Sequence, residues 1–240
     1  MNRETALHRH PKPHRELARR YQHYARKQEF RLSVLYSVLL FAASVAVIYY
    51  AIGYATESAS SSVTDIILSN TPVYDVDGFF AYGTIGLVAF IMLLLLAHPK
   101  RIPFTLHAMA LLYFIRAAFI SMTHIGAFPI PSVASGKFGV VLSHFLFGGD
   151  LFFSGHTALA FLLALIFWRE KNIRYIFLGW SLFMAIVVLL GHYHYTIDVA
   201  SAFFITYAIY RIAEWLFPRD RKWFDDAVTE EGYTSLDARR

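Results

Sequence analysis

Six long runs of mainly apolar residues dominate this chain, near residues 32–55, 79–97, 103–123, 151–168, 173–191 and 195–217. At roughly 17–25 residues each, they are long enough for helices rising about 1.5 Å per residue to cross the hydrocarbon of a bilayer. Lipid offers the backbone no hydrogen-bond partners, so only helices and closed barrels can span it. The strict alternation of a barrel strand is missing. The runs therefore predict an all-α polytopic membrane protein with six transmembrane helices. Composition agrees: 57% of residues are hydrophobic and 16% charged, which excludes an ordinary soluble domain.

Basic residues set the expected orientation, because Lys and Arg collect in short cytoplasmic loops. Arg3, Arg9, Lys12, Arg15, Arg19, Arg20, Arg26, Lys27 and Arg31 precede or open the first run. Lys100 and Arg101 fill the second connection, Arg169, Lys171 and Arg174 the fourth, and Arg219, Arg221 and Lys222 follow the last run. The intervening segments show the reverse bias. Residues 56–78 hold Glu57, Asp65, Asp75 and Asp77 but no Lys or Arg, 124–150 hold only Lys137, and the turn at 192–194 holds none. Six crossings with both termini cytoplasmic satisfy every loop.

The first run starts late and is long for a cleavable signal, so it is expected to remain as an anchor. The net charge of +5 is concentrated in the cytoplasmic segments and reads as a topology signal rather than a nucleic-acid footprint. Without cysteine the chain can form no disulfide, thiolate metal site or cysteine nucleophile. No internal repeat is visible, and the halves lack the broken-helix symmetry of many transporters. The expected organisation is a basic cytoplasmic tail over 1–30, with an interfacial helix from about 15 to 29 as one reading, a six-helix catalytic domain over 31–217, and a cytoplasmic tail over 218–240.

Two polar strings interrupt the apolar pattern: Gly149-Asp150-Leu151-Phe152-Phe153-Ser154-Gly155-His156-Thr157 and His192-Tyr193-His194-Tyr195-Thr196-Ile197-Asp198. Ionisable groups at membrane depth are expensive and by default mark function. The third run leads outward from Pro103, which puts Arg116 about 20 Å along it. The fourth and sixth run inward, so His156, His194 and Asp198 fall in the same outer stratum. His194 and Asp198, four apart, share one helical face. A carboxylate there can accept the Nδ1 proton and free Nε2 as a nucleophile or base. His156, from another helix, could serve as proton donor to a leaving oxygen.

Simpler readings exist for each residue taken singly. A membrane histidine can merely bond a neighbouring helix, His194 and Asp198 can form a structural pair, and Arg116 can snorkel to the headgroups. His124, His144 and His192 read as loop or interfacial residues, the scattered Trp and Tyr as packing or belt aromatics, and Glu214 with Arg211 as a structural ion pair. The conjunction of an acid–base pair, a second histidine and an arginine at one depth favours a catalytic site.

These strings resemble the sphingomyelin synthase branch of the lipid phosphate phosphatase (type 2 phosphatidic acid phosphatase) superfamily. That branch carries a Gly-Asp-x-x-x-Ser-Gly-His-Thr string, here Gly149 to Thr157, and a His-Tyr-Thr-x-Asp-Val string, here His194 to Val199. The resemblance implies a catalytic triad of His156, His194 and Asp198, with Asp150 accessory. Arg116, Asp150, Ser154 and Thr157 are the implied substrate-binding residues, and no metal or organic cofactor is implied. The branch usually has a cysteine before that Gly-Asp pair, and this chain has no cysteine. The phosphatase branch has a Lys-x6-Arg-Pro string and an arginine six positions before its nucleophilic histidine; here that position is Val188 and the string is absent.

A phosphate monoester carries nearly two negative charges and invites several cations, whereas a diester carries one. The charge count favours a diester, and the resemblance implies cleavage of a phospholipid headgroup diester through a histidine nucleophile, with transfer to a lipid hydroxyl such as ceramide or to water, as in a phospholipase C. The partners expected are a phospholipid donor, a lipid alcohol acceptor and the bilayer, with no nucleic acid and with a homo-oligomer left open. Alternatives are a lipid phosphate or diphosphate phosphatase and, in another class, a non-enzymatic lipid-binding or scrambling protein. The expected setting is a bacterial inner membrane with a periplasmic site, or otherwise a Golgi or endoplasmic reticulum membrane with a lumenal one.

Overall fold

A computed structural model of the chain describes residues 21, 22, 24, 26–129 and 151–226. Asp150, Gly149, His144, the start of the proposed interfacial helix and most of both expected tails lie outside the described residues. The described residues are helical or irregular, with no strand among them. The main elements are α1 (Gln28–Glu57), α2 (Asp77–Ala97), α3 (Ile102–Met122), α4 (Gly155–Ile166), α5 (Lys171–Leu190) and α6 (Thr196–Leu216). All but α4 are long and apolar enough to cross a membrane.

The fourth apolar run behaves differently from its length in sequence. Only 12 of its residues form the helix, about 18 Å of rise, so α4 alone is shorter than a hydrocarbon layer. The reason lies just before it. Phe152 and Phe153 adopt φ of 151° and 26°, which a helix cannot accommodate, and the helix begins only once Ser154 caps it.

This short helix is the centre of the bundle. Nine of its 12 residues are buried, and it packs mainly on α5 and α6 while α1 packs on α3 and α2 on α5. Lipid tails are as apolar as leucine, so helices in a membrane associate by close packing and polar bonds rather than by escape from water. The sequence supplies both. Ala158, Ala160 and Ala164 of α4, with Ala108 of α3 and Ala202 and Ala213 of α6, are fully buried in one core with Phe104, Leu112, Phe153, Phe167, Phe177 and Phe224. On α1, buried Ser37 and Ser44 satisfy their hydroxyls by donating to the Val34 and Phe41 carbonyls.

One end of the bundle is held by a buried polar cluster. Arg101, fully buried at the start of α3, pairs with Glu170 at 3.1 Å and lies over the Phe167 and Phe224 rings. His107 meets Asp220 at 2.8 Å and stacks on Phe217, while Ser33 donates to the other Asp220 oxygen at 2.6 Å. Arg221 donates to the Ile166 carbonyl and pairs with Asp225. Residues 218–226 are thus helical and packed into the bundle, with Phe224 in its core. The Arg211–Glu214 pair lies on the exposed side at 2.6 Å.

Asp220→Ala strips acceptors from buried His107 and half-buried Ser33. It should lower stability by about 2–3 kcal/mol, read as a drop of several degrees in the thermal midpoint in detergent. An unchanged midpoint would show that the cluster does not hold the bundle.

Candidate active site

At the opposite end of α3 from Arg101, about 22 Å along that helix, Arg116 is buried. Its Nε donates to the Phe153 carbonyl at 3.2 Å. The left-handed backbone at Phe152 and Phe153 accompanies this contact, and strain of this kind gathers at functional sites because surrounding structure must enforce it. Gly155 sits against the same guanidinium: a Cβ there would lie 2.8 Å from Arg116 Nε. Glycine in the first string is therefore a requirement of close approach.

That contact yields a prediction. In Gly155→Ala the flexible arginine must move while the helix is unaffected, so the protein should fold normally yet lose about 10- to 100-fold in catalytic efficiency. Gly179→Ala in α5, where a Cβ meets nothing within 4 Å, is the matched control. Equal activity of the two variants would show that the Arg116 position is immaterial.

The two polar strings meet through their backbones. The Ser154 amide donates to the Asp198 carbonyl at 3.0 Å, joining the start of α4 to the first turn of α6. Ser154 is fully buried and its Oγ accepts from the Thr157 amide at 3.5 Å, capping α4. Thr157 is also buried; its carbonyl accepts from Ser181 of α5, and its hydroxyl has no partner among the described residues. His156 follows in the first turn, partly exposed, with Phe80 of α2 edge-on to its ring at 4.5 Å. Its Nδ1 is buried without a partner among the described residues, and both Arg116 and His194 lie within its electrostatic reach.

His194 lies just before Tyr195, the cap residue of α6, and Asp198 occupies the first turn of that helix. Both are buried, and His194 Nδ1 lies 3.2 Å from Asp198 Oδ2. The same oxygen accepts the Tyr195 amide at 3.1 Å, one of the donors that the start of a helix otherwise leaves unpaired. The carboxylate is thereby fixed against the helix and fixes the ring in turn, with Nε2 on the side away from Asp198. The structure thus brings Arg116, Ser154, His156, Thr157, His194 and Asp198 to one end of the bundle, while Asp150 lies outside the described residues.

Several contacts around the site join residues whose pairing has no local signal in the sequence. Phe80 stacks on Tyr193 at 4.7 Å as well as against His156, and Tyr193 donates its hydroxyl to Asp77. Tyr195 donates to the Gly126 carbonyl at 2.8 Å and accepts from the Val63 amide at 3.2 Å. With Leu68 and Leu151 it forms a small apolar cluster that Phe128 and Ile125 flank. Gly126 approaches the Ser60 carbonyl so closely that a Cβ would overlap it, and its amide donates to Ser61. The connections 58–76 and 123–129 are therefore joined to each other and to the turn that carries His194.

Asp65 lies within that junction. Burial alone would raise its carboxyl, but hydrogen bonds from Thr196, Leu68 and Ile67 outweigh it and leave the group below the ordinary aspartate range. His192, in the left-handed region at φ 54°, approaches Thr71 at 3.5 Å and Phe128 edge-on, in the turn beside the dyad. His124 sits in the other connection, 3.4 Å from the Tyr54 hydroxyl.

Among the described residues no group of His, Asp and Glu is arranged to hold a metal ion. A buried imidazole oriented by a carboxylate, a second imidazole and a guanidinium on one site can bind an oxyanion, attack it and move a proton to or from a departing oxygen.

Residues 148–216 match the family model described as PAP2 superfamily C-terminal. The matched stretch spans α4, α5 and α6, under a third of the chain, and contains both histidines and the aspartate. This match supports membership of the PAP2, or lipid phosphate phosphatase, superfamily. A search of curated proteins gave no significant match.

Proposed function

We propose that this chain is a membrane enzyme that cleaves the phosphodiester of a phospholipid headgroup and passes the phospho-headgroup to a lipid hydroxyl or to water. The observation that carries the reading is the convergence of the two strings: Ser154 bonded to Asp198 backbone to backbone, with His156, His194 and Arg116 around that bond. The superfamily match supports phosphatase or phosphotransferase chemistry on lipids in general. The preference for a diester rests on the charge count. Arg116 is buried at the site, whereas Val188 is sealed in an apolar cluster with Phe80, Ala81 and Val199.

In this mechanism His194 Nε2 attacks phosphorus while Asp198 holds the Nδ1 proton and stabilises the positive charge that grows on the ring. Arg116 neutralises a non-bridging oxygen. The bond to the diacylglycerol oxygen breaks, its electron pair stays with that oxygen, and His156 supplies the proton. Neutral His156 then takes a proton from the acceptor hydroxyl, whose oxygen attacks phosphorus, and the P–N bond breaks with its electrons returning to Nε2. Splitting one displacement into two is the logic of covalent catalysis. With ceramide as acceptor the product is a sphingomyelin-like lipid, and with water a free phospho-headgroup. The basic cluster at the far end of the bundle, read by the positive-inside rule, directs this site to the outer or lumenal face.

The test is a panel of phospholipids given to the purified protein in detergent, with and without ceramide and diacylglycerol, and read by mass spectrometry. Diacylglycerol released from a diester lipid supports the reading, and modified ceramide identifies a transferase. Consumption of phosphatidic acid alone would identify a phosphatase and overturn the charge argument.

A further inference from the structure

We propose that Asp65 is a positioning residue for the His194–Asp198 pair, clamping the first turn of α6 from the connection between α1 and α2. The inference rests on the reading of His194 as nucleophile. It starts from four hydrogen bonds to one carboxylate. Asp65 Oδ1 accepts from the Ile67 amide at 2.8 Å, the Leu68 amide at 2.9 Å and the Thr196 hydroxyl at 2.6 Å, and Oδ2 accepts from the Thr196 amide at 2.8 Å. The first two bonds fold the local turn. The last two reach across 131 positions of sequence to the first residue of α6.

Thr196 lies midway between His194 and Asp198. The dyad itself contains little redundancy: Asp198 Oδ2 holds both the imidazole and the Tyr195 amide, and Asp198 Oδ1 has no partner among the described residues. Any rotation of the first turn swings the carboxylate relative to a ring that sits outside the helix. Helix starts fray because their first amides lack partners. Asp65 closes one of those amides and adds a negative charge where the helix end is positive. Its reach to the site is reinforced by Val63, whose amide donates to Tyr195.

The chemistry of asparagine makes the test selective. In Asp65→Asn the remaining carbonyl can keep the Ile67, Leu68 and Thr196 hydroxyl bonds, but the new amide group faces the Thr196 N–H as donor against donor. The local turn survives while the clamp on the helix start is broken. Expected is a kcat lower by about 10- to 100-fold with KM within threefold, an unchanged elution profile in detergent, and faster hydrogen exchange in the peptide spanning 193–199. Thr196→Ser, which keeps both donors, should retain near wild-type kcat, whereas Thr196→Val should lose severalfold.

A KM effect without a kcat effect would make Asp65 a substrate contact, and a wild-type kcat despite faster exchange would remove any positioning role; either result overturns the proposal. If wild-type protein turned over no lipid in the panel, the functional reading would fail by itself. The clamp would then stand or fall on exchange at 193–199, with unchanged exchange in Asp65→Asn counting against it.

Discussion

His194→Ala should abolish lipid turnover, by about a thousandfold or more, while leaving the bundle folded. Removing a nucleophile removes the covalent route, and what survives is the residual advantage of binding and charge stabilisation. The ring is buried but lies before α6 rather than within a helix interface, so its loss should cost far less stability than Asp220→Ala at the other end. Two companion measurements give the result its meaning. Wild-type protein mixed with a headgroup-labelled phospholipid and quenched early should carry label in an acid-labile, base-stable linkage, and His194→Ala should carry none. Asp198→Asn should retain a labelled intermediate but form it about 10²- to 10⁴-fold more slowly, because a neutral amide can neither hold the tautomer nor stabilise the imidazolium. Turnover that survives in His194→Ala, or an intermediate that labels another residue, would displace the dyad from the mechanism. Lipid binding or scrambling that persists in a variant and a wild type alike devoid of turnover would favour a non-enzymatic role.

The sequence made the residue types of this site legible and left their supports dark. Apolar runs long enough for lipid announce helices. His194 and Asp198 do meet, but not on one helical face as their spacing suggests: His194 lies in the turn before the cap residue Tyr195, and Asp198 reaches back to it from the first turn of α6. The fourth run shows the limit of that reasoning. Leu151, Phe152 and Phe153 are as apolar as Ala158 to Ile166 further along the run, but the backbone that presents the Phe153 carbonyl to Arg116 leaves the helical region there. Hydropathy measures partition into lipid and is blind to dihedral angles. Ser154 was the local sign of the true start, as a capping hydroxyl before a glycine.

The roles of Asp65, Phe80 and Tyr195 are illegible in the sequence for a different reason. Their partners lie far away in sequence, at Thr196, His156 and Gly126, and an acid in a loop has the same local signature whether it is solvated or clamps a helix. The same is true of Asp220 and Phe224, which follow the last apolar run yet are buried in the bundle. The expected orientation rests on charge in short loops, a bulk property that needs no register. Arg101 and Arg169, basic residues of different loops, pair with acids at one end of the bundle, while Arg116 stands apart at the other.

His156→Gln is expected to separate proton transfer from nucleophilic attack. Glutamine can fill the site beside Phe80 but cannot protonate a departing oxygen. A diacylglycerol alkoxide is too basic to leave without a proton, so turnover of a natural phospholipid should fall by about 10²- to 10⁴-fold. A nitrophenyl phosphodiester with the same headgroup releases a stabilised phenolate that needs no acid. On that substrate His156→Gln should give a rapid burst of nitrophenol close to one equivalent of enzyme, then slow turnover, because the second half-reaction still requires a base to activate the acceptor hydroxyl. Addition of a strongly nucleophilic acceptor such as hydroxylamine should restore part of the steady rate by bypassing that base. Equal losses on the two substrates, with no burst, would assign His156 to binding and move the proton donor elsewhere. A natural-substrate rate within tenfold of wild type would show that the diacylglycerol oxygen leaves with a proton from another source, leaving Arg116 and the His194–Asp198 pair as the working part of the site.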